Sequence, residues 1–160
     1  MNKKNIITAL SLLLSITLFS FLNVEKDKVY TFKNLEGNEV NLADFKGKYV
    51  YIDVWASWCG PCLGEIPSLK ALEENHKDGD VVFVSLSVDQ DTKAWKKMVA
   101  KKELHGNQFH YSGNQGFIEK FNISAIPRFI LLDKEGNVKE ANAPRPSSSE
   151  IKTLFDELGI

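Results

Sequence analysis

The sequence predicts an α/β fold in which helices flank a central mixed β-sheet. Residues 49–55 and 81–88 are apolar runs rich in β-branched and aromatic residues, as is typical of strands covered on both faces. Segments of helical period follow both runs, which favours parallel strands joined by helices. Residues 128–133 and 138–140 are predicted strands around a four-residue turn, so an antiparallel hairpin completes the sheet.

The remaining elements are assigned in chain order. Strands at residues 29–32 and 39–42 flank the turn at residues 36–38 and predict an N-terminal β-hairpin extension. A helix from Cys59 to about residue 76 has four apolar residues along one face and ends at Asp78-Gly79-Asp80. The other predicted elements are a helix at residues 91 to about 104, a weaker segment at 105–113, a short helix at 115–121 and a closing helix at 149–158.

Composition limits the classes of protein that this chain can form. Its 160 residues are 43% hydrophobic and 26% charged, which suits one globular core and argues against disorder. The net charge of −1 gives no electrostatic support for nucleic-acid binding. Two cysteines are too few for a disulfide scaffold or a four-thiolate zinc site, so a redox pair is their obvious remaining use.

The N-terminus is predicted to direct export. Lys3 and Lys4 precede a mostly apolar run at residues 6–22, a pattern of both signal peptides and membrane anchors. Its 17 residues leave both alternatives open, and we assign residues 1–26 to this segment. The positive-inside rule then places residues 27–160 in the periplasm or another extracytoplasmic space, with membrane contact only through the N-terminal segment.

The two cysteines lie in a context that gives them chemistry. Residues 55–62, Trp-Ala-Ser-Trp-Cys-Gly-Pro-Cys, follow a strand and open a helix. Cys59 is expected at the N-cap, where backbone N–H groups and the helix dipole favour a thiolate, and Cys62 is expected one turn further in. Cys59 is therefore the predicted exposed nucleophile and Cys62 the buried resolving cysteine, with Pro61 tolerated in the first turn. Their disulfide is the only redox group expected, with no separate cofactor.

A zinc site or an inert pair of thiols is the alternative use of these cysteines. His76 is about four helical turns from Cys59, roughly 25 Å, so it cannot share a metal with the pair. His105 and His110 are expected to be exposed and partly solvated. We therefore predict no metal.

The pattern around the cysteines resembles the active site of the thioredoxin superfamily, and more closely that of extracytoplasmic TlpA/ResA-like thiol-disulfide oxidoreductases. The resemblance covers residues 27–160 and implies a three-layer thioredoxin-like fold. Besides the CxxC context, its features are the leader, Gly47-Lys48, Cys-Leu-Gly-Glu-Ile-Pro at residues 62–67, Val88-Asp89, Ile126-Pro127 and Asp-Lys-Glu-Gly at residues 133–136.

Two acids are candidates for proton transfer. Asp53 lies inside an apolar strand, where a carboxylate costs free energy unless it is protonated, paired or functional. It resembles the buried acid of thioredoxin that exchanges a proton with the inner cysteine, which implies a raised pKa. Glu65 follows Cys62 by three residues and resembles the active-site glutamate of the ResA-like group; a solvated surface acid is the alternative. Asp53 is the first choice for deprotonating Cys62, and the division of work between the two acids stays open.

The resemblance also implies a substrate-binding surface. Ile126-Pro127 matches the cis-proline that faces the CxxC motif in the superfamily, where the backbone pairs with an extended substrate. Trp58, Gly60 and Pro61 are expected to flank the same groove. Arg128 follows the proline; it either adds positive charge near Cys59 or is simply exposed.

These features predict an exported enzyme that reduces protein disulfides through Cys59 and Cys62. The Gly-Pro between the cysteines resembles that of reducing thioredoxins. The resemblance implies a membrane thiol electron donor, and clients such as apocytochrome c cysteines or oxidatively damaged envelope proteins. An envelope disulfide oxidase or isomerase and a non-catalytic, metal-carrying or adhesive binding module are the alternatives, and the motif context disfavours a peroxidase.

Overall fold

The computed structural model describes residues 28–160 of the chain. The predicted signal peptide or anchor at residues 1–26 lies outside the described residues. Between residues 28 and 160, no helix is both long enough and apolar enough to cross a membrane.

A seven-stranded mixed sheet forms the centre of the domain, in the order β2-β1-β5-β4-β3-β6-β7. Strands β3, β4 and β5 are parallel, and each of the outer strands pairs antiparallel with its neighbour. The mixed sheet predicted from the sequence is therefore confirmed. The strands are β1 Thr31–Lys33, β2 Glu39–Asn41, β3 Tyr49–Trp55, β4 Val81–Ser87, β5 Asn107–His110, β6 Arg128–Leu132 and β7 Val138–Glu140.

Helices cover both faces of the sheet and give the three predicted layers. The helices are α1 Gly60–Asn75, α2 Thr92–Lys101, α3 Gln115–Lys120 and α4 Ser149–Leu158. Side chains of α1 and α4 pack with Tyr51 on one face, and α2 packs beside them against Trp55. Phe117 of α3 packs on the other face, against Ile52 and its neighbours. Successive residues of β3 therefore point to opposite layers, as the period of two requires.

Most element boundaries agree with the sequence prediction, and the differences have local causes. Strand β2 ends at Asn41, whose side chain accepts a hydrogen bond from the N–H of Ala43 and begins a short 3-10 turn at Leu42–Phe45. Helix α2 ends at Lys101 instead of near residue 104, because Glu103 has a φ of +50° that a right-handed helix does not accommodate. The weak segment at residues 105–113 contains β5.

The three parallel strands end at the same edge of the sheet. Trp55 of β3 is in register with Ser87 of β4, and Ser87 is in register with His110 of β5. The loop that leads to Cys59 leaves from this edge. This edge therefore positions the candidate site.

Candidate active site

Cys59 and Cys62 form a disulfide at the N-terminus of α1, with their Cα atoms 5.2 Å apart. Cys59 is the N-cap, and its Sγ accepts a hydrogen bond from the backbone N–H of Cys62 at 3.2 Å. Pro61 lies in the first turn. The predicted N-cap position of Cys59 is confirmed. The same N–H would stabilise a Cys59 thiolate after reduction.

Both sulfur-bearing residues are buried in the disulfide form. Cys59 is 5% exposed and Cys62 is 3% exposed, because the pair packs with Trp55 and Trp95 in one apolar cluster. The expectation that Cys59 is exposed is therefore wrong for this state. The exposed residues around the disulfide are instead Trp58, which is 70% exposed, and the two residues between the cysteines, Gly60 and Pro61.

Asp53 lies on β3 with its side chain on the same face of the sheet as Tyr51 and Trp55, in the layer of α1. It is 7% exposed, and its strand neighbours are Ser85 and Phe129. Burial, followed by the negative charges of Glu73 and Glu65, raises the pKa of Asp53 to about 8. The predicted burial of Asp53 is confirmed, and burial acts on its pKa in the predicted direction. Its part in proton transfer stays a prediction.

Glu73 is a third acid in this layer, and the sequence reasoning missed it. It lies on α1, and burial raises its pKa to about 7, while the nearby charge of Lys70 acts in the opposite direction. The sequence contains a signal for this position. Glu73 follows Glu65 by eight residues and lies on the same helical stripe as the buried Leu69 and Leu72, which indicates that its side chain faces the sheet.

Glu65 is buried and bonded to a distant loop. Its Oε2 accepts a hydrogen bond from the backbone N–H of Ser147 at 3.1 Å, and its Oε1 accepts one from the Ser147 hydroxyl at 2.9 Å. Arg145 Nη1 is 3.5 Å from the same Oε1. Glu65 is only 9% exposed, so the alternative of a solvated surface acid is wrong. Both oxygens are engaged in holding the loop before α4.

The Ile126–Pro127 peptide bond is cis, as the resemblance implied. Pro127 directly precedes β6, whose first residue Arg128 is in register with Val54 near the end of β3. The proline therefore lies at the edge of the sheet from which the cysteine loop leaves. Arg128 is half-buried, so the alternative of a simply exposed side chain is wrong. Its Nη2 donates to the carbonyl of Phe121 at 2.9 Å, just after α3. Its contribution of positive charge near Cys59 stays a prediction.

A shallow groove of about 440 Å³ connects the cysteine loop with the proline loop. Trp58 of the cysteine loop and Ile126 of the proline loop both line it. Its apolar lining residues are Trp58, Val88, Tyr111, Ile118, Ile123, Ala125 and Ile126. The structure thus brings together Trp58 and Ile126, two of the five residues predicted to bind substrate.

The histidines show one correct and one wrong expectation. His105 is exposed, but His110 is buried beneath the site, with its ring 5.3 Å from that of Trp95. The prediction for His110 failed because residues 105–113 were not recognised as containing a strand that carries it inward. Within residues 28–160, no group of three or more His, Cys, Asp or Glu side chains is arranged to hold a metal ion.

Asp89 is a further buried polar residue at the site. It follows β4, is 2% exposed, and its carboxylate accepts two hydrogen bonds from Ser57 and one from Ser87. The sequence reasoning noted Val88-Asp89 only as part of the resemblance. Its position directly after a buried parallel strand indicates that Asp89 lies at the edge of the sheet from which the cysteine loop leaves.

Comparison with known proteins agrees with this geometry. The Redoxin family model matches residues 24–157. The thiol-disulfide oxidoreductase ResA of Bacillus thuringiensis is 33% identical over 107 residues, which are 66% of this chain and 60% of ResA. ResA of Bacillus cereus strain ZK is 28% identical over 152 residues, which are 89% of this chain and 86% of the relative. The chain thus spans three fifths of the first relative's length and most of the second's.

Solved structures give the same assignment. A protein of Bacteroides vulgatus, assigned as a thiol-disulfide oxidoreductase and determined in solution, superposes with a TM-score of 0.75. It is 50% identical in sequence, and the match covers 81% of this chain and 85% of that one. The family model, the relatives and the fold agree, so the chain belongs to the Redoxin family and is a ResA-like member of the thioredoxin superfamily.

Proposed function

We propose that this chain is an exported thiol-disulfide oxidoreductase that reduces protein disulfides. The observation that carries the proposal is the Cys59–Cys62 disulfide at the N-terminus of a helix that packs over the face of β3 carrying buried Asp53. The similarity to proteins named thiol-disulfide oxidoreductase supports the same activity.

The first step of the proposed reaction is attack by the Cys59 thiolate on one sulfur of a client disulfide. A bond forms between Cys59 Sγ and that sulfur, and the other client sulfur leaves as a thiolate. The N–H of Cys62 stabilises the attacking thiolate, because its hydrogen bond already points at Cys59 Sγ in the disulfide form.

The second step resolves the mixed disulfide. Asp53 accepts the proton of the Cys62 thiol, and the Cys62 thiolate then attacks Cys59 Sγ. The Cys59–Cys62 disulfide forms, and the second client sulfur leaves as a thiolate. A pKa of about 8 suits Asp53 to this exchange, because it is close to the ordinary value of a thiol, about 8.5.

Glu65 contributes to this site in a different way. Its carboxylate holds Ser147 and Arg145, and its negative charge is one cause of the raised Asp53 pKa. We therefore assign proton acceptance to Asp53 and give Glu65 a supporting electrostatic role.

The client lies across the groove between Trp58 and Ile126 in this proposal. Trp58 and Ile126 line the groove and contact the client there. Gly60, Pro61 and Pro127 are assigned to the same surface because they lie next to these two residues in the chain. An extended client segment fits such a cleft because its backbone can pair with the exposed peptide groups of the loop.

The reaction leaves the enzyme oxidised, so a dithiol donor must reduce Cys59–Cys62 again. A thiol relay in the membrane would serve an enzyme located outside the cytoplasm, held there by residues 6–22 if they remain attached. The basic start and apolar run of the N-terminus support this location.

Insulin reduction by dithiothreitol tests the proposed activity. The full-length chain in mild detergent should accelerate precipitation of the insulin B chain, and Cys59→Ser should abolish the acceleration. A wild-type chain that gives no acceleration would contradict the enzyme and favour a non-catalytic binding module. Net formation of disulfides in a reduced client, with no insulin reduction, would instead identify an oxidase.

A further inference from the structure

Asp89 holds the loop that carries the nucleophile. Its Oδ2 accepts a hydrogen bond from the backbone N–H of Ser57 at 2.9 Å, and its Oδ1 accepts one from the Ser57 hydroxyl at 2.6 Å. Ser57 lies two residues before Cys59 and next to Trp58 in the chain. One carboxylate thus binds both the backbone and the side chain of a single residue in the β3–α1 loop.

The carboxylate is in turn held by groups from β4. The Ser87 hydroxyl donates to Asp89 Oδ2 at 2.8 Å, and the Ser87 oxygen accepts from the Asp89 N–H at 3.1 Å. Ser87 is fully buried, so this partner is shielded from water. The position of the Asp89 side chain is therefore fixed by the end of the sheet, independently of the loop that it binds.

His110 fixes the backbone of Asp89 from β5. The N–H of Ser112 donates to His110 Nδ1 at 3.0 Å, so the ring proton lies on Nε2. Nε2 then donates to the carbonyl of Asp89 at 2.7 Å. Hydrogen bonds thus connect the ends of all three parallel strands beneath the cysteine loop.

Asp89 has no counter-ion among residues 28–160, where the ion pairs involve other acids. A buried carboxylate is costly unless hydrogen bonds satisfy it. Two of its three side-chain donors come from Ser57. Displacement of the loop would leave the charge under-satisfied, so Asp89 favours one position of the loop strongly.

We propose that Asp89 and Ser57 form a loop clamp that positions Cys59 at the N-cap of α1 and Trp58 beside the client groove. The proposal rests on the proposed function, and both members are positioning residues. Its consequence is chemical as well as structural. With the clamp in place, Cys59 Sγ stays within hydrogen-bond distance of the Cys62 N–H.

Alkylation of Cys59 by iodoacetamide tests the clamp without a client. The full-length chain is reduced in a Cys62→Ala background, so that Cys59 is the only thiol, and the rate is measured from pH 5 to 9. Ser57→Ala removes one clamp bond without changing charge. It should slow alkylation at pH 7 about fivefold and move the midpoint of the profile to higher pH, the effect of losing one capping hydrogen bond.

Three further variants control the interpretation. Ser57→Thr keeps the hydroxyl and should restore the wild-type profile, whereas Asp89→Asn should slow alkylation as Ser57→Ala does. Asp91→Asn makes the same charge change two residues away, at the exposed N-cap of α2, and should leave the profile unchanged.

Two results would overturn the clamp. If Asp89→Asn accelerates alkylation while Ser57→Ala has no effect, Asp89 acts on Cys59 through charge alone. If both variants lower the melting temperature with unchanged profiles, the bonds serve only stability. Insulin reduction by the chain with both cysteines is measured in parallel: inactivity there with a clamp-dependent profile supports the clamp and contradicts the proposed function.

Discussion

The carboxylate of Glu65 accepts hydrogen bonds from both the backbone N–H and the hydroxyl of Ser147, a residue 82 positions later in the chain. Helix α1 and the loop before α4 are thereby joined close to the cysteines. The same loop is held from β3, because the Tyr51 hydroxyl donates to the carbonyl of Pro144 at 2.6 Å. The acid that the resemblance associates with cysteine chemistry is thus a structural partner of the loop.

Replacement of Glu65 tests that role. Glu65→Ala should lower the free energy of unfolding by about 1–2 kcal/mol, because it removes hydrogen bonds to a charged acceptor in a largely buried setting. Chemical denaturation measures the loss, and Glu74→Ala on the exposed face of the same helix is the control. Among residues 28–160 the ion-pair partner of Glu74 is the exposed Lys77, so the loss should be small. Equal losses in the two variants would contradict a structural role for Glu65.

Asp53→Asn should stabilise the oxidised protein at neutral and alkaline pH. The pKa of Asp53 is raised to about 8 in the folded state, from an ordinary value near 4, so the folded state retains the proton more strongly. The favourable contribution of Asp53 to the free energy of unfolding is complete below pH 4 and is lost as the pH rises towards 8. Replacement should therefore increase the free energy of unfolding by roughly 2–4 kcal/mol at pH 8 and by little at pH 4. A pH-independent difference would contradict the assignment.

The same variant should impair the resolving step. In the wild type, the rate at which the mixed disulfide is resolved should increase as Asp53 ionises towards pH 8. Asp53→Asn should remove this increase from the pH–rate profile and slow the step by about a hundredfold. Stopped-flow measurement of product release gives the rate. Glu65→Gln should keep the increase in rate but move it to lower pH, because one of the negative charges that raise the Asp53 pKa is lost. The reverse outcome, with Glu65→Gln losing it and Asp53→Asn keeping it, would exchange the roles of the two acids.

Cys62→Ser should accumulate mixed disulfides between Cys59 and client proteins. The first step proceeds without Cys62, and no second thiol is left to release the client. Non-reducing gels of the purified chain mixed with a disulfide-containing substrate should show an adduct that dithiothreitol removes. Cys59→Ser is the matched control and should give no adduct. Adducts that form only through Cys62 would reverse the two cysteine assignments.

Trp58→Ala should weaken client binding without weakening the fold. The side chain is 70% exposed and borders the groove, so its removal should raise KM about three- to tenfold and leave kcat within twofold. Val138→Ala is a suitable control, because Val138 is the other large apolar side chain exposed among residues 28–160, and it lies on the distant edge strand β7. An unchanged KM for Trp58→Ala would remove Trp58 from the binding surface.

Sequence patterns within single helices and strands predicted the fold and the cysteine pair well. Contacts between helices, strands and distant loops were harder to predict. The apolar run at Tyr49–Trp55 and the strand-to-helix context of Cys59 are local signals, and the structure confirms both. The Glu65–Ser147 bond depends on how α1 packs against a loop far along the chain, so no periodicity reveals it. His110 was misjudged for a related reason: a four-residue strand with mixed polarity has too weak a pattern to show that it is covered.

If Cys59 and Cys62 act as a reducing pair, the disulfide between them must have a low reduction potential. The purified chain is equilibrated with dithiothreitol buffers of stepped ratio, and the thiol fraction at each step gives the potential. A reducing pair should have a potential close to that of thioredoxin, about −270 mV. A value near the roughly −120 mV of a strong oxidant such as DsbA would contradict this role and reverse the direction of electron flow.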